Sequence, residues 1–227
     1  MHNLVLFDID GTLVLTGGAG LRAMTRAVET ILGHPAALEG IPVAGRTDWI
    51  ILTDVLRRIG HDLDVPLFQQ LRVQYVAFLS EEIELPGHGV KAVMPGVRPL
   101  LDRLRPREDV WLGLLTGNFV EGARIKLEHF DLWKYFRCGA FGDDAADRNA
   151  LVPFAVARAR QEGLPEIAAD RVLVVGDTPH DIACARAAGA VPVAVATGGY
   201  TVEQLRGSGA DIVFEDLSDL EAFCALL

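Results

Sequence analysis

The sequence predicts an α/β fold, a doubly wound parallel sheet with an inserted α-helical cap, and three observations predict it. Short runs of Val, Ile and Leu without polar alternation recur along the chain, each followed by a longer amphipathic stretch. That alternation of strand and helix builds a parallel sheet with right-handed crossovers. One long segment after the first strand carries helical patterns only. Half of the 227 residues are apolar, enough for a sizeable core.

The strand patterns come in order. NLVLFDI (3–9) is first, then VWLGLLT (110–116), VLVVGDT (172–178) and VPVAVA (191–196), with RCGAFG (137–142) and DIVFED (211–216) as shorter, weaker runs. Helical spacing with Gly or polar stops marks GVRPLLDRLR, EGARIKLEHF, NALVPFAVARARQEG, HDIACARAAG and TVEQLRGSG. From Thr16 to Val93 the chain reads LRAMTRAVETIL, DWIILTDVLRRIG and PLFQQLRVQYVAFLSEEI, flanked by the turn-rich TGGAG, LPGHG and MPGV. The expected division is therefore a sheet core over 1–15 and 94–227, with a helical insert over 16–93.

A formal net charge of −10 argues against a nucleic-acid partner, which wants a basic stripe. It leaves room for a small phosphorylated ligand, because one local cation or metal ion can dominate a pocket. Cys138, Cys184 and Cys224 show no ligand spacing and read as reduced core thiols. With no targeting pattern and no apolar run of membrane-spanning length, the expectation is a cytoplasmic protein without a membrane partner.

Asp8 and Asp10 stand at the end of a strand that reads as buried. Burying unpaired charge costs on the order of several kcal/mol, so the placement needs a cause. Ligands of an open parallel sheet bind beyond the carboxyl ends of its strands. Thr116, Gly117 and Asn118 follow a second strand there, and Asp177 and Asp181 follow another. A single strand-closing aspartate is ordinarily a turn former or a helix cap; three such sites on one sheet point to chemistry. Four carboxylates need a counter-charge, and hard oxygen donors suit Mg²⁺. One carboxylate can then act as a nucleophile and another as general acid and base. Gly11 turns the backbone after the strand and frees amides for an anion. The Thr116 hydroxyl and the amides of Gly117 and Asn118, near a helix N-terminus, suit phosphate oxygens.

DIDGTLV, LLTGN and VVGDTPHDIACARAAG resemble the first, second and fourth motifs of the haloacid dehalogenase-like hydrolase superfamily, in the right order across the core. The insert directly after the first motif resembles the cap of its phosphoglycolate phosphatase-like and beta-phosphoglucomutase-like members. The resemblance implies a Rossmann-like core and Mg²⁺ as cofactor. It also implies Asp8 as nucleophile, Asp10 as general acid and base, and Thr116 as a phosphate ligand. The metal would take the Asp8 carboxylate, the Asp10 carbonyl and Asp177, with Asp181 holding the site directly or through water.

One element departs from the family pattern: no Lys-Pro pair precedes the fourth motif. Arg148, in DDAADRNALVP, falls where that cation usually lies and could bridge nucleophile and phosphate, or else pair at the surface with Asp143, Asp144 or Asp147. Lys126, two or three turns into a helix, would have to reach back roughly 10 Å. Position favours Arg148, and both stay open. In the insert, AGRTDWI (44–50) offers Arg46 either to the substrate's far side or to the surface, with Thr47 or Asp48 as helix N-cap. His88 and His180 are weaker candidates, His180 reading as a loop residue, and Trp49, Trp111 and Trp133 read as packing.

The expected function is hydrolysis of a small phosphate monoester through an aspartyl-phosphate. A phosphomutase would use the same intermediate, and a phosphate-binding protein would use the site without turnover. Dehalogenation is disfavoured, because resembling dehalogenases lack the second aspartate that Asp10 supplies here.

Overall fold

The computed structural model describes residues 1–62, 64–87 and 89–227. Its main sheet has six parallel strands in the order β5-β4-β1-β6-β7-β8: β1 (Asn3–Phe7), β4 (Val110–Leu115), β5 (Cys138–Ala140), β6 (Val172–Gly176), β7 (Val191–Val195) and β8 (Ile212–Phe214). The two weak strand patterns thus form strands of three residues each, at the two edges.

Helices cover both faces because side chains of the central strands alternate between them. Val5 and Phe7 face α4 (Val97–Leu104), α5 (Val120–His129) and α9 (Leu220–Cys224), which contribute Leu100, Leu101, Leu104, Leu127 and Phe223 to one core cluster. Leu4 and Leu6 face α6 (Leu151–Gln161) and α7 (Pro179–Ala187), which contribute Leu151, Ala155, Ala159, Cys184 and Ala185 to another. Leu4 through Phe7 are all fully buried. At about 1.5–3 kcal/mol for each large apolar side chain, that burial pins the strand and the residue that follows it. A last helix, α8 (Val202–Gly207), packs Leu205 against Ile182 and Ala194.

Register brings the functional edge together. Phe7 is level with Leu114 on one side and Val175 on the other, so Asp8, Thr116 and Asp177 leave the sheet at the same edge.

Over that edge sit α1 (Ala19–Leu32), α2 (Asp48–Arg58) and α3 (Val65–Glu82) around their own cluster, with Leu52, Phe68, Leu71 and Tyr75 at its centre. Thr47 caps α2, accepting the Ile50 amide at 3.2 Å, and Arg57 and Arg58 complement the dipole at its other end. Asp64 caps α3, with Pro66 in the first turn. The insert is not purely helical. β2 (Val14–Thr16) and β3 (Lys91–Val93) pair antiparallel where the chain leaves and rejoins the sheet. Three-residue strands so distant in sequence carry no period for a local pattern to reveal.

Candidate active site

Asp8 sits one residue past β1 and is buried, with its amide donating to the Val175 carbonyl at 2.9 Å. Asp177, just past β6, accepts the Thr12 hydroxyl at 3.1 Å. Asp181 is fixed by its own helix: one of its oxygens accepts both the Thr178 amide (3.0 Å) and hydroxyl (2.7 Å), a capping box at the start of α7. The three carboxylates present oxygens within 4.8 Å of one another, and all three are buried. Two glycines permit this. Gly11 holds φ +82°, and a Cβ there would stand 2.6 Å from Asp177 Oδ2; a Cβ at Gly176 would stand 2.1 Å from Asp181 Cγ.

The electrostatics follow from burial and like charge. Burial, with Asp181 and Asp10 adding to it against the opposing Arg148, pushes Asp8 up to about 6. Burial and the neighbouring Asp8 and Asp181 push Asp177 up to about 8. Three converging carboxylates, destabilised as anions by one another, fit a hard divalent cation.

Arg148 is buried and does not pair at the surface. Its Nη2 lies 3.1 Å from Asp8 Oδ1 and pairs also with Asp181 Oδ1. Burial would lower its basicity, but Asp181 and Asp8 outweigh that and hold it above the ordinary arginine range. The surface partners are engaged elsewhere: Asp143 with Arg72, Asp144 with Arg158, and Asp147 as cap of the turn that carries Arg148. The Cys184 thiol donates to the Arg148 carbonyl at 3.0 Å, tying that turn to α7. Arg148 Nε is buried without a hydrogen-bond partner among the described residues.

Lys126 also reaches the site. From the last turn of α5 its Nζ donates to Asp10 Oδ2 and to Asn118 Oδ1, each at 2.6 Å. Asn118 Nδ2 donates to the same Asp10 oxygen and to Thr116 Oγ1, each at 2.8 Å. Asp10 Oδ1 has no hydrogen-bond partner among the described residues, and Asp10 lines the cavity between sheet and insert. The two cations therefore divide the site: Arg148 on Asp8, Lys126 on Asp10.

Other expected contacts differ. Gly11 frees no amide of its own, since its N–H donates to the Val14 carbonyl at 3.0 Å within the turn; what it provides is room for Asp177. The Asn118 amide turns back to Thr116 Oγ1 at 3.3 Å, whereas the Gly117 amide has no partner among the described residues. Arg46 lines the cavity, yet its guanidinium is held by Asp54 Oδ2 (2.6 Å) and the Pro42 carbonyl (2.9 Å). His180 lies in the first turn of α7, not in a loop, and packs against Gly45. His88 lies outside the described residues.

The insert meets the core through Thr47 and Asp48, which spacing flagged only as helix N-cap candidates. The Asp48 amide donates to the Gly117 carbonyl at 2.8 Å, and Asp48 Oδ2 accepts the Phe119 amide at 2.9 Å. The Thr47 hydroxyl donates to the Ala146 carbonyl at 2.9 Å. Together these seat the start of α2 on the Thr116–Asn118 loop. Burial, opposed by Lys126 and the Phe119 amide, pushes Asp48 up to about 7.

The cavity, of about 240 Å³, is lined by Asp8, Asp10, Thr116, Lys126, Arg148 and Asp177 from the core, and by Met24, Arg46, Asp48, Ile51 and Tyr75 from the insert. A buried carboxylate with its own cation, a trio of carboxylates that fits a metal ion and a second, separately held carboxylate suit a hydrolase acting through a covalent carboxylate intermediate.

The chain belongs to the haloacid dehalogenase-like hydrolases, whose family profile matches residues 2–189. The phosphoglycolate phosphatase of Rhodospirillum rubrum is 32% identical over 97% of this chain and 90% of its own. That of Shigella boydii serotype 4 is 29% identical over 95% and 90%. A hydrolase from Pseudomonas syringae of known structure, 23% identical, shares the fold with a TM-score of 0.67 over 99% of this chain and 98% of its own.

Proposed function

We propose that the protein is a Mg²⁺-dependent phosphatase of small phosphate monoesters, acting in the cytoplasm. The observation that carries this reading is the convergence of Asp8, Asp177 and Asp181 within 4.8 Å, with Asp10 held outside that trio. The names of the relatives agree with it.

Asp8 attacks phosphorus, and the bond to the leaving alcohol breaks as the aspartyl-phosphate forms. Asp10, through its open Oδ1, gives the proton to the departing oxygen. It then takes a proton from the water that attacks the intermediate and returns Asp8. Thr116 Oγ1 and the Gly117 amide hold phosphate oxygens, while Arg148 offsets charge beside Asp8. Lys126 and Asn118 fix the Asp10 rotamer. The Asp8, Asp177 and Asp181 carboxylates, with the Asp10 carbonyl, would hold Mg²⁺, which supplies charge neutralisation to the transferring phosphoryl group. The helices α1–α3 act as a cap that keeps bulk water from the intermediate.

The test is phosphate release from a panel of small esters with Mg²⁺ and with excess chelator, run beside Asp8→Asn. Turnover that needs the metal and is lost in Asp8→Asn is the expected result. Turnover that survives Asp8→Asn would remove Asp8 as nucleophile and the covalent route with it.

A further inference from the structure

The cavity beyond the phosphate position carries a charge pattern that selects among esters. Each basic side chain lining it already has an acidic partner: Arg148 has Asp8 and Asp181, Lys126 has Asp10, and Arg46 has Asp54. No lining cation among the described residues is left uncommitted for a second anion. Asp48, by contrast, is half used. Its Oδ2 takes the Phe119 amide, while Oδ1 has no hydrogen-bond partner among the described residues and the side chain lines the cavity. The same cavity is lined by the apolar Met24, Val43 and Ile51 and by Tyr75.

We infer, resting on the phosphatase reading, that Asp48 is a specificity-determining residue that selects an uncharged, hydroxylated leaving group and rejects a carboxylated one. A hydroxyl on the leaving alcohol donates to Asp48 Oδ1, and its carbon skeleton packs on Met24 and Ile51. A carboxylate at the same place would face Asp48 with no free cation to receive it, and would be desolvated without a counter-charge. This sets the chain apart from what the names of its phosphoglycolate phosphatase relatives say of those proteins, since phosphoglycolate carries a carboxylate.

Matched esters test it. Glycerol 1-phosphate and 3-phosphoglycerate share a skeleton and differ in a hydroxymethyl group against a carboxylate; 2-hydroxyethyl phosphate and 2-phosphoglycolate form a second such pair. The expected result is a kcat/KM at least about tenfold higher for the hydroxylated member of each pair. In Asp48→Asn, whose amide keeps an acceptor for Phe119 and offers a donor to a carboxylate, that ratio should fall by about tenfold, mostly through KM of the carboxylated ester. A ratio is insensitive to the fraction of folded enzyme, so a general loss of stability does not imitate this outcome. Preference of the native enzyme for the carboxylated member, or a ratio unmoved by Asp48→Asn, overturns the inference and leaves the phosphatase reading standing. No turnover of any ester, p-nitrophenyl phosphate included, removes the phosphatase reading and the inference together.

Discussion

Arg148 Nη2 lies 3.1 Å from Asp8 Oδ1, both side chains being nearly sealed from solvent. A guanidinium so placed supplies positive charge at the carboxylate proposed as nucleophile. Its Nη2 meets two carboxylates at once, because the second, Asp181, is held by its own helix N-terminus, while Nη1 donates to the Gly45 carbonyl. Arg148→Ala is expected to lower kcat by about 10²–10³-fold, the usual cost of losing one preorganised charge at a developing transition state. Arg148→Lys should recover part of that loss, since it keeps the charge but not the fork. A kcat for Arg148→Ala within a few-fold of native would assign the arginine to structure alone.

Lys126 makes a different prediction, because its contacts run to Asp10 and Asn118 and not to Asp8. Lys126→Met should leave Asp10 held by Asn118 alone and without its counter-charge, lowering kcat by about 10–10²-fold, with less effect on KM. Lys126→Arg should restore part of it. A variant whose KM rises while kcat holds would instead show Lys126 to be a substrate-binding cation.

The reach of Lys126 illustrates what the sequence left open. Helical spacing places it in the last turn of α5, far along the axis from Thr116, and a lysine there is ordinarily solvated. It is buried because Asn118 and Asp10 turn toward it and α3 covers that flank with Tyr75, an arrangement between distant segments. The carboxylate trio was legible because each member closes a strand or opens a helix, and strand ends of a parallel sheet share an edge. Asp48 was not: its spacing says helix start, as it is, and its second role needs the insert to fold back onto Gly117 and Phe119. β2 and β3 escaped for the same reason, being three residues each and paired with one another across the whole length of the insert.

Asp48 gives a pH dependence of stability whose sign is fixed by its burial. Its carboxyl is pushed from 3.8 up to about 7 in the folded chain, by burial first, against the pull of Lys126 and with Asp10 and Asp143 adding repulsion. The Tyr75 hydroxyl, buried beside it, stays protonated, since burial and then Asp48 hold it well above its usual range. A carboxyl raised on folding favours the native state most at low pH. That advantage is lost as pH rises from about 4 to about 7 and is then constant. Asp48→Asn removes the titration, so the variant should gain on the native protein across that window and level off above it, by on the order of 2–4 kcal/mol at most. Denaturant melts of both proteins at pH 4.5, 6 and 8 measure the difference. A stability gap that does not change with pH contradicts the assignment.

Gly117 tests whether the insert must seat on the phosphate loop for turnover. A Cβ there would stand 2.2 Å from the Arg46 carbonyl oxygen and 2.8 Å from Thr47 Cα. Both are backbone atoms, so no side-chain adjustment relieves the clash and the start of α2 has to withdraw. Withdrawal breaks the two hydrogen bonds that join Asp48 to the Gly117 carbonyl and the Phe119 amide. The sheet and its carboxylates lie on the other side of that seam, anchored by Leu4 to Phe7 and by the α7 capping box. Gly117→Ala should therefore keep most of the thermal stability of the core. Hydrogen exchange at the Asp48 and Phe119 amides should quicken by about tenfold or more, and kcat/KM for phosphate esters should fall by about 10²-fold. Faster exchange with native turnover would show that chemistry proceeds with the insert lifted, and the cap would then serve selection of the ester without being needed for its hydrolysis.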